Sequence, residues 1–208
     1  MKTILVAALM ATPLAVGTAS QSPDTLPKEE ICTVDVYGDS LLLPAEAAMQ
    51  AVSKDLPNLY LINNSVEFLS LNDLVVGFVA KNTDKGTVAM PSFPRASRKG
   101  KIAVIELGSI DALLGFDKEI FREQLEFVLE VLMKEGRTAI LVGVSQSTSF
   151  TSKEGHFDDA QQLDEFNMAM QGVAASKGVA FVQALNIPKD KVARDLREAV
   201  ITACKAGQ

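Results

Sequence analysis

The chain has 208 residues, 48% of them hydrophobic, with 13 Gly and 8 Pro, which suits one globular domain with a full core and is short for two. Twenty Lys and Arg stand against 26 Asp and Glu, a net charge of −6. An acidic surface with no basic stripe of interleaved aromatics argues against nucleic acid and anionic lipid as partners.

The chain opens on Lys2, the apolar run Ile4 to Ala11 and then Pro13-Leu14-Ala15-Val16, with Gly17 and Ala19 at signal-peptidase spacing. Residues 1–19 read as a cleaved signal peptide. The run is too short and too poorly flanked by charge for an anchoring span, so no transmembrane segment is expected after cleavage. Removing Lys2 leaves 19 basic against 26 acidic residues, or −7. No Cys near the cleavage point supports a lipid anchor, and the expected destination is a bacterial periplasm.

After a polar linker from Gln21 to Glu30, short apolar runs alternate with amphipathic stretches. The pattern predicts a strand over Ile31–Tyr37, a helix over Pro44–Asp55, a strand over Leu59–Ile62 and a helix over Leu71–Lys81. Asn82 to Gly100 reads as one long irregular segment, with Gly86, Pro91, Pro94 and a basic cluster of Arg95, Arg98, Lys99 and Lys101. Such a cluster either binds an anion or is a solvated loop. Ile102–Ile105 is a continuous apolar strand, as in a sheet buried on both faces. Asp117–Glu135 is a helix with Phe121, Leu125, Val128, Leu129 and Leu132 on one stripe. Then follow a strand over Ala139–Val144, a helix over Asp158–Lys177, a strand over Val179–Val182 and a helix over Asp190–Lys205.

This alternation predicts a single three-layer α/β domain over residues 31–208, with a five-stranded parallel sheet and right-handed crossovers. Ligands of such sheets bind beyond the carboxyl ends of the strands, where strand order reverses. That edge carries Gly38-Asp39-Ser40, Asn63-Asn64-Ser65, Gly108-Ser109-Ile110-Asp111 and the loop from Ser145 to Phe157. Cys32 starts the first strand, and Cys204 ends a last helix running antiparallel to the strands. Both therefore belong to one edge, either paired in an oxidising compartment or as two buried thiols. Asp35, in the middle of the first strand, is either a displaced acid/base group or a residue satisfied by a hydrogen bond to a hydroxyl or loop amide, and the hydrogen bond is the expected reading.

A strand running into Gly38-Asp39-Ser40, followed by a helix, presents a serine hydroxyl at the carboxyl edge, and Asp39 is placed to hold that turn. With Glu106-Leu107-Gly108-Ser109-Ile110-Asp111-Ala112-Leu113-Leu114-Gly115-Phe116 after the third strand, the chain resembles the GDSL or SGNH hydrolases, especially the bacterial periplasmic thioesterase I/lysophospholipase type. Ile62-Asn63-Asn64-Ser65-Val66-Glu67-Phe68 is more loosely similar to that family's second block. The resemblance spans about Ile31 to Ala184 and implies flavodoxin-like sheet topology and serine acyl hydrolysis without a cofactor. It makes Ser40 the nucleophile. It aligns Phe68 with the oxyanion glycine, whose amide can still donate, and Ile110 with the oxyanion asparagine, whose donor is gone. The family's Asp-x-x-His precedes the last helix, where this chain reads Ala184-Leu185-Asn186-Ile187-Pro188-Lys189-Asp190, with no histidine.

The one histidine is His156, in the loop after the fourth strand. It is either a rewired base for Ser40, oriented by Asp158 or Asp159, or an exposed residue beside a helix start. No ligand set with metal-binding spacing, no Gly-x-Gly-x-x-Gly and no Walker A sequence occurs, so neither metal nor cofactor is expected. Three functions remain open. The first is a catalytically impaired binding or accessory protein taking an acyl ester or other small ligand at the carboxyl edge, with its protein partner unknown. The second is a divergent serine ester or thioester hydrolase, and the third is a purely structural partner-binding domain.

Overall fold

The computed structural model describes residues 31–38, 58–66, 69–83, 86–144 and 159–206. The signal peptide, the helix expected over Pro44–Asp55, and Asp39, Ser40, Phe68 and His156 lie outside the described residues. β1 (Cys32–Gly38), β2 (Leu59–Asn63), β5 (Ile102–Glu106), β6 (Thr138–Val142) and β7 (Ala180–Val182) form a parallel sheet in the order β2-β1-β5-β6-β7. Each expected strand is present, within a residue or two at its ends.

The apolar runs become strands because each has two buried faces to fill. Tyr37, Ala103, Ile105, Ala139 and Leu141 point to one face, packed by α1 (Leu71–Val76), α3 (Lys118–Lys134) and α4 (Asp159–Lys177). Val34, Val36, Ile102, Val104, Ile140, Val142 and Val182 point to the other, against α5 (Lys189–Ala206). The predicted stripe on α3 is buried in full at Phe121, Leu125, Val128, Leu129 and Leu132, each such side chain contributing roughly 1.5–3 kcal/mol. Asp117 caps this helix, its carboxylate accepting from the amides of Glu119 at 2.8 Å and Ile120 at 3.0 Å.

The structure corrects the reading of the stretch between β2 and β5. The helix expected over Leu71–Lys81 ends at Val76, and Phe78–Thr83 is a strand, β3, paired antiparallel with β4 (Gly86–Met90). Gly77 is the cause: it takes φ +79°, and a Cβ there would lie 2.5 Å from the Ser92 amide nitrogen. The helix therefore stops and the chain turns into a hairpin pressed close to its own return path. Asn82–Gly100 is likewise not wholly irregular, holding β4 and a 3₁₀ turn at Phe93–Arg95.

Arg98 is not a solvated loop residue. Its guanidinium lies 4.4 Å above the Phe93 ring, donates to the Phe93 carbonyl, and pairs with Glu135 through a 2.9 Å bond from Nε. Glu135 also accepts from Arg137 Nε at 2.8 Å, and these bonds hold its carboxyl below the ordinary glutamate range. The same layer receives Asp35, which is buried and accepts from the Gly100 amide at 2.8 Å and from Asn64 Nδ2 at 3.4 Å, with Arg137 3.7 Å away. The expected loop-amide partner is present, and a cation joins it.

Cys32 and Cys204 form a disulfide, their Cα atoms 5.7 Å apart and 172 residues apart in sequence. It ties the start of β1 to the last turns of α5. Replacing both by Ser is expected to lower unfolding stability by roughly 2–5 kcal/mol, because so long a loop then regains its denatured-state freedom; urea melts check this. Asp35→Ala is expected to cost roughly 2–4 kcal/mol in the same assay, since the buried Gly100 amide and Arg137 lose their acceptor.

Candidate active site

The order β2-β1-β5-β6-β7 has one reversal point. From β1 the chain goes outward to β2, then crosses back so that β5 lies on the other flank of β1. In sheets of this kind the ligand crevice lies at that point, beyond the carboxyl ends of β1 and β5. Gly38 and Glu106 are register partners at the last rung before it.

The segment after β2 is laced to β1 by its backbone. The Asn64 amide donates to the Val36 carbonyl at 2.8 Å, and the Val66 amide donates to the Gly38 carbonyl at 3.1 Å. The Ser65 amide in turn donates to Asn63 Oδ1 at 2.9 Å. A Cβ on Gly38 would meet the Glu106 carbonyl oxygen at 3.4 Å and Ser65 Oγ at 3.5 Å. A side chain at this position would thus sit in ordinary van der Waals contact with both flanking segments.

Across the crevice, Gly108 takes φ +115°, and a Cβ there would touch the Phe121 ring and Val144 at 3.0 Å. This turn starts α2 (Ser109–Leu113). Ile110, which the sequence resemblance aligns with an oxyanion asparagine, is 4% exposed and offers buried hydrocarbon with no side-chain donor. Asp111 is also buried, and both of its oxygens accept from the Leu71 amide, at 3.1 and 2.9 Å. Burial raises its carboxyl to about 6, against the lowering effect of those backbone bonds. Asp111 is thus a positioning residue, fastening the start of α1 to α2. Ser70 completes that junction: its hydroxyl accepts from the Asp73 amide at 3.0 Å and donates to Asp73 Oδ2 at 2.7 Å.

The loop between β7 and α5 is where the sequence resemblance leads a basic residue to be expected. Ala184 and Leu185 are buried, Asn186 takes φ +59°, and Ile187 donates its amide to the Ala184 carbonyl at 3.2 Å. No imidazole stands there. Leu114 and Phe116 lie exposed on the turn from α2 into α3, and Ile120 lies exposed in the first turn of α3. A surface groove of about 420 Å³ lies elsewhere, between α3 and α4. It is bridged by the ion pair Lys118–Glu165 at 3.1 Å and sits at no strand end.

Two buried polar groups were not singled out from sequence. Ser109 Oγ and Asn167 Oδ1 have no hydrogen-bond partner among the described residues. Ser109 was visible as part of a motif; that its hydroxyl is enclosed without a partner depends on packing, which the motif does not encode. Among the described residues, no group of three His, Cys, Asp or Glu side chains is arranged to hold a metal ion. No helix among them is long and apolar enough to cross a membrane.

The sequence matches no family model and no curated protein. Its structure is similar to that of TesA, with TM-score 0.55 and 15% identity over 82% of this chain and 99% of that one. It is similar also to a GDSL-like lipase from Bacteroides thetaiotaomicron, with TM-score 0.62 and 12% identity over 88% of this chain and 92% of that one. A member of the lipolytic protein G-D-S-L family from Veillonella parvula gives TM-score 0.55 and 12% identity over 82% and 97%. At such identities the likeness establishes the fold, and the expectation drawn from the Gly38 and Gly108 motifs holds at that level.

Asp111 generates a pH prediction. Its folded value of about 6 lies above the ordinary 3.8, so the folded state binds the proton more tightly. The stability this contributes is complete below about pH 4 and lost as pH rises through 6. Urea melts are therefore expected to show wild type gaining roughly 3 kcal/mol on Asp111→Asn as pH falls from 7.5 to 4.

Proposed function

We propose that this SGNH-fold chain is an exported binding or accessory protein that takes an acyl-type ligand in the crevice between β1 and β5, with hydrolysis impaired. One observation carries the reading: the β7–α5 loop offers no imidazole where the fold's base would stand. A serine hydroxyl without a base is a poor nucleophile. The buried hydrocarbon of Ile110 compounds the deficit, since losing one oxyanion donor costs ~10²–10³ in turnover. Exposed Leu114, Phe116 and Ile120, in the stretch that follows β5, support an alkyl-bearing ligand. Export draws support from the sequence of residues 1–19 and from the Cys32–Cys204 disulfide, which an oxidising compartment maintains.

The rival reading is a divergent serine ester or thioester hydrolase in which His156 serves Ser40. What favours it is topology: β6 ends at Val142 on the carboxyl edge, so the segment bearing His156 departs from the same edge as the one bearing Ser40.

Labelling the mature protein with an alkyl fluorophosphonate, alongside Ser40→Ala and His156→Ala, separates the two. Impairment predicts ester turnover by wild type no higher than by Ser40→Ala, and no labelling at Ser40. Wild-type labelling and turnover that vanish in both variants would overturn it.

A further inference from the structure

The groove between α3 and α4 exists because α4 turns small residues toward it. Lys118 pairs with Glu165 at 3.1 Å and Lys177 with Glu130 at 3.0 Å, each pair 47 residues apart. The two helices therefore run side by side in one direction, every α3 residue level with the α4 residue 47 positions later. Between the ion pairs Ala169, Gly172 and Ser176 line one wall of a cavity of about 420 Å³, with Arg122 and Glu126 on the other. A Cβ on Gly172 would meet nothing within 4 Å, while Met168, one turn earlier, is 61% exposed. From Phe166 to Ser176 α4 carries no charge, so its outward positions Met168, Gln171, Gly172, Ala175 and Ser176 are all neutral on a chain of net charge −6. Such depletion of charge marks the core of an interface and not a solvated helix face.

The face is its own complement. Arg122 and Glu126 lie one turn apart on α3, and Met168, a knob, and Gly172, a hole, lie one turn apart on α4. Gln124, midway between the first two, is level with Gln171; Met170, midway between the second two, is one residue away, or about 1.5 Å along the axis. One two-fold axis crossing both helices at that level therefore sets Arg122 of each copy opposite Glu126 of the other, and Met168 opposite Gly172. Arg122 can turn to this task because its pair with Glu119, at 3.1 Å, is a surface one with both side chains more than half exposed. Glu126 has no ion pair among the described residues.

We infer that the α3–α4 face is the isologous interface of a homodimer, two copies packed with their helices antiparallel. A second copy is the partner because the opposite charges and the knob and hole share one level on one face. Parallel packing would stack Asp164 and Glu165 on their own counterparts. Helices of 17 and 19 residues offer roughly 500 Å² per copy, near the low end of specific interfaces, so the dimer is a micromolar one. It points the carboxyl edges of its two sheets in opposite directions and leaves both open.

The test is sedimentation equilibrium of the mature protein over roughly 1 µM to 0.5 mM, for wild type, Arg122→Glu, Glu126→Arg, the double swap and Gly172→Glu. Wild type is expected to associate in the micromolar range. Each single swap sets like charges opposite each other twice and is expected to weaken association about tenfold or more. The double swap restores both pairs and is expected to return within about threefold of wild type. Gly172→Glu fills the hole from a position in open space, so its melting temperature is expected to hold level or rise while dimerisation is lost. Wild type that stays monomeric at the highest concentration overturns the inference. So does a dimer indifferent to the single swaps or to Gly172→Glu, which would use another face, and so does a double swap no tighter than the singles.

Discussion

Everything at the carboxyl edge follows from the position of β1. The first strand of the sheet is an interior one, hydrogen-bonded in parallel to β2 on one flank and to β5 on the other. Parallel pairing forbids a tight turn between neighbours, so the chain must leave the edge after β1, return for β2, and cross over before β5. That route alone sets the reversal of strand order between β1 and β5. It also demands a strand buried on both faces, which Val34, Val36 and Tyr37 supply. Asp35 is the exception, accommodated because Gly100 and Arg137, from the opposite edge, reach it.

The segments flanking the crevice are joined by contacts of their own. Val66 and Asn64 are bonded to β1 by backbone amides, and Asp111 holds α2 to the start of α1. None of these bonds uses the hydroxyl, amide or imidazole groups that acyl transfer would require. A scaffold held in this manner can lose a base and an oxyanion donor without losing its shape. Positioning and chemistry reside here in different residues: Asp111, adjoining Ile110, keeps its structural bonds while Ile110 has no polar atom to offer beyond the backbone.

Legibility in the sequence tracked the strength of local signals. The buried strands were plain because runs such as Ile102-Ala103-Val104-Ile105 admit few other readings, and α3 because its five buried positions recur at helical spacing. The hairpin was misread although its cues were present. Phe78-Val79-Ala80 and Thr87-Val88-Ala89-Met90 flank a turn-rich Asn82 to Gly86, and Gly77 precedes them. Apolar residues on both sides of Gly77 fit a helix nearly as well as a helix followed by a strand, and only the close pass of Ser92 decides between them. Arg98 looked like one of several loop cations; its place over Phe93 and beside Glu135 joins residues 37 apart. The site was legible as a set of motif positions, while Asp111's attachment to Leu71 and Ser109's isolation depend on burial, which no short motif carries.

The disulfide makes the domain, in covalent terms, a closed ring. Cys32 begins the first strand and Cys204 lies near the end of the last helix, so nearly the whole fold lies inside the loop they close. A single peptide-bond cleavage within that loop opens the ring without dividing the molecule. The two resulting pieces remain tethered at the amino-terminal start of β1, on the edge opposite the carboxyl ends of the strands. While the bond is intact, a protease must therefore cut twice between Cys32 and Cys204 before any fragment of that loop can leave.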